Sequence, residues 1–223
     1  MSNTNDKIQK AIQYSVSTAQ NFNFPQEIPN GPNPLKLSKW YANEIIVISE
    51  QISRIEEECE LECTCSKGCS ACCQQLITVF NSEVLAMLPM IENFTKEELS
   101  FLKNKISEQC KLLKAHDIEI TISVSLSNSK SVELQNEYFK LKLDCPFLNS
   151  NKECMIYHVR PLVCWSYRSY DTPQSCGISL SSPYSIKYAD WEMVESKRML
   201  AAKKSSRKSF NILQFALKDA LHI

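Results

Sequence analysis

Cys65-Ser66-Lys67-Gly68-Cys69-Ser70-Ala71-Cys72-Cys73 places four thiols within nine residues. Its C-x3-C and C-x2-C spacings fall in the range over which thiolates share one tetrahedral ion or one iron–sulfur cluster. Gly68 permits a backbone turn where a side chain would clash, and Ser66 and Ser70 offer local hydrogen bonds that compete with a regular helix. The stretch therefore reads as a ligand loop. The competing reading puts Cys65, Cys69 and Cys72, at i, i+4 and i+7, on one face of a buried helix. A free cysteine is a rare choice for filling a core, and four so close together are a redox hazard without a purpose. The ligand loop is the better account.

The rest of the composition agrees. A chain of 223 residues can bury a substantial core without covalent staples. Lys plus Arg equals Asp plus Glu at 25 each, so overall charge gives no case for nucleic acid, a membrane surface or acidic substrates. The 3 glycines are too few for the phosphate loops and tight turns of a doubly wound nucleotide-binding fold, and neither G-x-G-x-x-G nor a Walker A pattern occurs. Met1 to Lys10 is polar and lacks an apolar signal core, which predicts a cytoplasmic protein without a membrane partner. In that reducing compartment 11 cysteines read as metal ligands rather than as a disulfide framework.

Before the loop, residues 4–20 predict a short helix, and Asn21 to Pro34, with four prolines, a connector. Ser38 is the expected N-cap of a long helix running to about Glu62. Its seam is Tyr41, Ile45, Ile48, Ile52, Ile55 and Cys59, repeating at steps of four and three. Cys59 thus belongs to the core, whereas Cys63 lies off the stripe and is not assigned to the site. After the loop, Leu76 to Phe80 predicts a strand, and Ser82 the cap of a helix carrying Val84, Leu85, Leu88 and Ile91. Thr95-Lys96-Glu97-Glu98 is a capping box opening a helix to about Ala115, with Cys110 on its core side and His116 just beyond its end. Ile118, Ile120, Ile122, Val124 and Leu126 alternate with polar residues, and so do Phe139, Leu141 and Leu143; the two predict a small antiparallel ribbon joined through Ser127 to Ser131.

The second half of the site is Cys145-Pro146-Phe147-Leu148, then Cys154 through Tyr157 and Arg160-Pro161 to Cys164, and finally Cys176. Asn149, Ser150 and Asn151 predict a turn that folds Cys145 and Cys154 toward each other. Pro146 and Pro161 hold the residues before them extended. His158 reads as an outer or surface group, since eight thiols are at hand.

The order C-x3-C-x2-C-C, C-P-F-L, then C-x-I-Y-x-x-R-P-x-x-C and a trailing Cys resembles the YkgJ-type cysteine-cluster proteins, described as zinc- or iron-chelating. The resemblance covers residues 65 to 176. It implies Cys65, Cys69, Cys72, Cys73, Cys145, Cys154, Cys164 and Cys176 as metal ligands, with Ile156, Tyr157, Arg160 and Pro161 as scaffold. Many relatives carry Arg directly after the last cysteine of that motif; here Trp165 stands there and Arg168 follows. Part of the pattern resembles the cluster region of flagellin lysine N-methylases, which supplies an alternative: an iron–sulfur-dependent protein lysine N-methyltransferase. The C-x3-C-x2-C spacing also resembles radical S-adenosylmethionine enzymes, but a long helix precedes it here and no run of βα units follows.

Adjacent Cys72 and Cys73 are expected to point apart, so one tetrahedral ion does not easily take both. Two zinc sites of four thiolates, or a 4Fe–4S cluster with thiols to spare, both fit the count. No catalytic base with a supporting partner is visible, and the histidines form no triad or H-E-x-x-H pattern. The last part predicts two packing helices, the second with a stripe of Phe210, Leu213, Leu217 and Leu221. The basic run Lys197 to Lys208 between them lacks the interleaved aromatics of a nucleic-acid surface. The expected protein is mainly α with a small β element, its helices packed around a cysteine-rich metal-binding centre. It divides into an N-terminal helix and connector at 1–37, a cysteine-cluster domain at 38–180 and a basic helical segment at 181–223. Its expected role is structural or metal-handling binding of zinc or iron.

Overall fold

The spine of the molecule is α2, Pro34–Glu58, in a computed structural model that describes residues 3–21, 27–66, 68–119, 128–172, 175–176, 184–188 and 210–223. The helix begins a turn earlier than Ser38 suggests. Asn33 caps it, its side chain accepting from the Lys36 N–H, and Pro34 occupies the first turn, where its missing N–H costs nothing. Tyr41, Ile45, Ile48, Ile52, Ile55 and Cys59 are all buried, as their spacing predicts. Each fully buried isoleucine contributes about 1.5–3 kcal/mol. Against this stripe packs α1, Thr4–Asn21, through Ile8, Ala11 and Ala19.

Downstream of the cysteine loop come β1, Thr78–Phe80, and α3, Asn81–Ile91, which lies along α2. The cap of α3 is not Ser82. The Glu83 carboxylate turns back to accept the Phe80 N–H at 2.8 Å, so the helix starts at Asn81 and Ser82 is buried in its first turn. Next is α4, Lys96–Ala115, with the predicted capping box intact: Glu98 N–H donates to Thr95 Oγ1 at 3.1 Å and Thr95 N–H to Glu98 Oε2 at 2.8 Å. Cys110 is buried on its core side, and His116 is its exposed C-cap.

The ribbon expected after α4 is not formed by its second segment. Asn128–Lys140 is a helix, α5, which takes in Phe139, and Leu141 and Leu143 follow it outside any strand. Three residues alternating with period two did not distinguish a strand from a helix end. Leu134, Tyr138 and Leu141, at steps of four and three, reach one apolar cluster with Leu113 and Ile118. Of the first segment, residues 120–127 lie outside the described residues.

The short helix α6, Leu162–Ser166, runs into β2, Tyr167–Ser169, which pairs antiparallel with β3, Ser185–Lys187. At the C-terminus β4, Phe210–Ile212, pairs antiparallel with β1, Thr78 opposite Ile212, and leads into α7, Leu213–Ala220, which packs on α4. Phe210 is thus a strand residue rather than the first of a helical stripe. Leu213 and Leu217 are buried as predicted. The other C-terminal helix and the basic run lie outside the described residues. The fold is mainly helical with two small antiparallel strand pairs among the described residues, and no helix there is long and apolar enough to cross a membrane.

Candidate metal centre

Two stretches far apart in sequence are laced together at the backbone. Cys145 N–H donates to the Cys73 carbonyl at 2.9 Å, which sets the end of the cysteine loop beside the start of the second motif. The loop turns at Gly68, whose φ of +85° only glycine adopts without strain, and closes with Cys69 N–H on Ser66 O and Cys73 N–H on Ser70 O. Ala71–Gln74 is one turn of 3-10 helix carrying Cys72 and Cys73.

Four side chains steady the second motif. Lys105, from α4, donates to the carbonyls of Cys145 at 2.8 Å and Leu148 at 3.3 Å. Gln109 donates to Asp144 O at 2.7 Å and is held in turn by Gln214, which also reaches the Tyr138 hydroxyl. Gln74 donates to the Asp144 carboxylate, which also pairs with Lys152. The predicted turn is present: Asn149 Oδ1 accepts from Asn151 and Glu153, and Leu148 bridges to Cys154. Glu83 reaches across to accept the Leu162 N–H at 2.9 Å, fixing the start of the helix that carries Cys164.

Five thiols act on one another electrostatically within this frame: Cys72 and Cys73 from the loop, Cys145, Cys154 and Cys164 from the second motif. Cys72 and Cys73 lie in a tight 3-10 turn, where their thiols hydrogen-bond to each other. That bond lowers the Cys72 pKa and, with burial and the nearby Cys145 and Cys164, raises that of Cys73. Burial pushes Cys145 up to about 12, with Cys154 and Cys72 adding to it. Cys164 is held well above the ordinary thiol range by burial first, then by Cys145 and Cys154. Arg160 acts electrostatically on Cys72, Cys154 and Cys164, and Lys105 on Cys145 and Cys73. The buried Nε of Arg160 has no hydrogen-bond acceptor among the described residues, and its guanidinium lies over the Tyr157 ring at 4.3 Å.

The other predicted ligands are placed differently. Cys65 is exposed and its thiol bonds to that of Cys63, with Cys72 the further thiol acting on it. Cys69 is half-buried in the loop, and Cys176 is buried on the short described stretch at 175–176. Among the described contacts neither joins the five. His158 is exposed, stacked edge-on against Tyr157. It lines an open groove of about 500 Å³ beside α2 with Ile46, Glu50, Arg54, Tyr157 and Arg160.

No group of three or more His, Cys, Asp or Glu among the described residues stands ready to cage an ion. The Cys72 thiol is paired with that of Cys73, and the Cys63 thiol with that of Cys65. The donor chemistry nevertheless fits a soft cation. Desolvation and mutual repulsion hold Cys145 and Cys164 protonated, and a thiophilic metal ion removes both penalties by binding thiolates. All 11 cysteines are free thiols. Sequence reasoning missed Lys105, Gln109 and Glu83 as supports. Only Glu83 had a local signal, the Phe80-x-x-Glu83 spacing of a back-turned cap.

A helical frame that carries half-buried thiols on a C-x3-C-x2-C-C loop and a later C-x9-C run defines a cysteine-cluster protein. The chain belongs to the CxxCxxCC family, described as "Putative zinc- or iron-chelating domain", whose model matches residues 64–182, just over half of its length. Comparison with curated proteins gave no significant match, and comparison with solved structures gave none either.

Proposed function

We propose that this protein binds zinc or iron through its clustered thiols, in a structural or metal-handling role within the cytoplasm. The observation that supports the reading is the mutual electrostatic influence of Cys72 and Cys73 and of Cys145, Cys154 and Cys164, with Arg160 and Lys105 acting on them. Half-buried thiols that suppress each other's ionisation are a poor arrangement for an empty core and a good one for a cation. A bound ion supplies the positive charge that lets these thiols ionise together, and Arg160 and Lys105 balance the excess negative charge of a thiolate-rich centre. Cys65, Cys69 and Cys176 complete the proposed ligand set. The lysine N-methylation alternative draws no support from the family match or from the described residues.

Anaerobic purification, elemental analysis and a visible spectrum test the reading. Stoichiometric zinc in a colourless protein marks a zinc centre; broad charge-transfer absorption with iron marks an iron–sulfur cluster. Cys164→Ser and Cys69→Ser are each expected to lower bound metal sharply. A folded protein that binds neither zinc nor iron, apo or as purified, overturns the proposal.

A further inference from the structure

Cys63 lies outside the matched residues 64–182 and outside the spacing that defines the cluster. Its surroundings set it apart from the core thiols Cys59 and Cys110. Those two are almost fully buried among apolar side chains, whereas Cys63 is half-buried at the edge of the α2 cluster. The backbone from Leu61 to Ser66 belongs to no helix, and Thr64 anchors it. The Thr64 N–H donates to Ser169 O at 2.9 Å, and its hydroxyl donates to Ser169 O at 3.1 Å and to Asp171 O. Thr64 is thus committed to the end of β2, with Cys63 and Cys65 on either side of it in the chain. Their thiols meet in a hydrogen bond. The Arg168 guanidinium, paired with Glu56 at 3.5 Å, faces this thiol pair, and Cys72 of the five-thiol group acts on Cys65.

We propose that Cys63 is a further metal ligand, forming with Cys65 a C-x-C chelating pair fixed by the Thr64 clamp on β2. The inference rests on the metal-binding reading above and extends it to a residue outside the family's pattern. The pair offers two sulfurs at one point of an anchored backbone, so little chain entropy is lost when they close on an ion. It also gives Cys65 a partner in ligation. Arg168 then serves the pair as Arg160 serves the five, offsetting thiolate charge. That is consistent with an arginine placed three residues beyond Trp165 in this chain.

The test is a cobalt(II) titration of the anaerobic apoprotein, read by sulfur-to-cobalt charge-transfer absorption, with zinc competition for affinity. It compares the native chain, Cys63→Ser and Cys59→Ala, the last removing a core thiol. Loss of a direct ligand is expected to weaken the affected ion by more than the roughly 10–100-fold that loss of an outer partner costs, and to lower the charge-transfer intensity. Cys59→Ala is expected to leave both unchanged. A native chain that takes up metal while Cys63→Ser binds it identically overturns the role of Cys63 and leaves the metal-binding reading standing. A native chain that binds none overturns both. Should Cys63→Ser fail to fold, alkylation of the native protein decides. Cys63 is expected to be protected in the metal-loaded form and modified after chelation, and equal modification in both refutes its ligation.

Discussion

Glu83 joins the start of α3 to the start of α6, two places far apart in sequence, and replacing it by glutamine tests whether the frame of the centre depends on that junction. The carboxylate is 3% exposed and accepts from Phe80 N–H at 2.8 Å and from Leu162 N–H at 2.9 Å, one oxygen to each. Glutamine keeps the shape but has one acceptor atom. Its amide nitrogen must face one of the two N–H donors, leaving that donor buried and unpaired. A hydrogen bond to a charged group is worth about 1.5–3 kcal/mol and an orphaned buried donor costs about 1–3 kcal/mol. Relief from burying a charge offsets part of this, so Glu83→Gln is expected to cost about 1–3 kcal/mol net. For a chain of this length each kcal/mol moves the melting temperature by roughly 2–4 °C, which gives a drop of about 2–12 °C. Calorimetry with a chelator present removes the stabilisation that bound metal adds by mass action. Glu83→Ala, which orphans both donors and leaves a cavity, is expected to fall further. A glutamine variant that melts within about 1 °C of the native chain refutes the claim that this carboxylate holds the Cys164 helix in place.

Thr95→Ala removes one arm of the capping box on α4 and is expected to cost about 1 kcal/mol in thermal unfolding without changing metal content, because the cap lies at the far end of that helix from Gln109. Gly68→Ala meets no atom within 4 Å, so its only penalty is the left-handed φ of +85°; about 1–2 kcal/mol of strain and a loosened loop are expected, seen as weaker metal retention under chelator challenge. Cys110 is buried and its pKa is raised from 9.0 to about 11 by burial. The unfolded chain therefore loses this proton first. The stability it contributes is intact below pH 9 and is lost as pH rises toward 11. Cys110→Val is expected to be less sensitive to alkali than the native chain over that window, by roughly 2–3 kcal/mol of unfolding free energy in denaturant titrations. Equal alkaline slopes in the two proteins contradict this assignment.

Much of the frame could be read from local pattern. The α2 stripe, the Thr95 capping box and the turn at Asn149 depend on residues within one or two helical turns of each other, and all three are present as read. Where the readings differ from the structure, a local signal had two solutions. Ser38 and Ser82 are both good caps, but the caps Asn33 and Phe80 lie five and two residues earlier and win by satisfying N–H groups that would otherwise be orphaned. Phe139, Leu141 and Leu143 alternate like a strand, yet the apolar cluster around Leu113 and Ile118 draws Leu134 and Tyr138 inward at helical spacing.

The amino-acid sequence by itself determines the donor chemistry: which thiols exist, their spacing along two motifs, and the turns at Gly68 and Asn149 that bring near neighbours together. Tertiary structure alone decides which thiols meet. The bond from Cys145 to the Cys73 carbonyl spans 72 positions, and the reach of Glu83 to Leu162 spans 79. The physical reason is one of range: dihedral preference and capping act over a few residues, whereas which distant segments lie side by side is fixed by how whole helices pack and by which backbone groups must find partners once water is excluded.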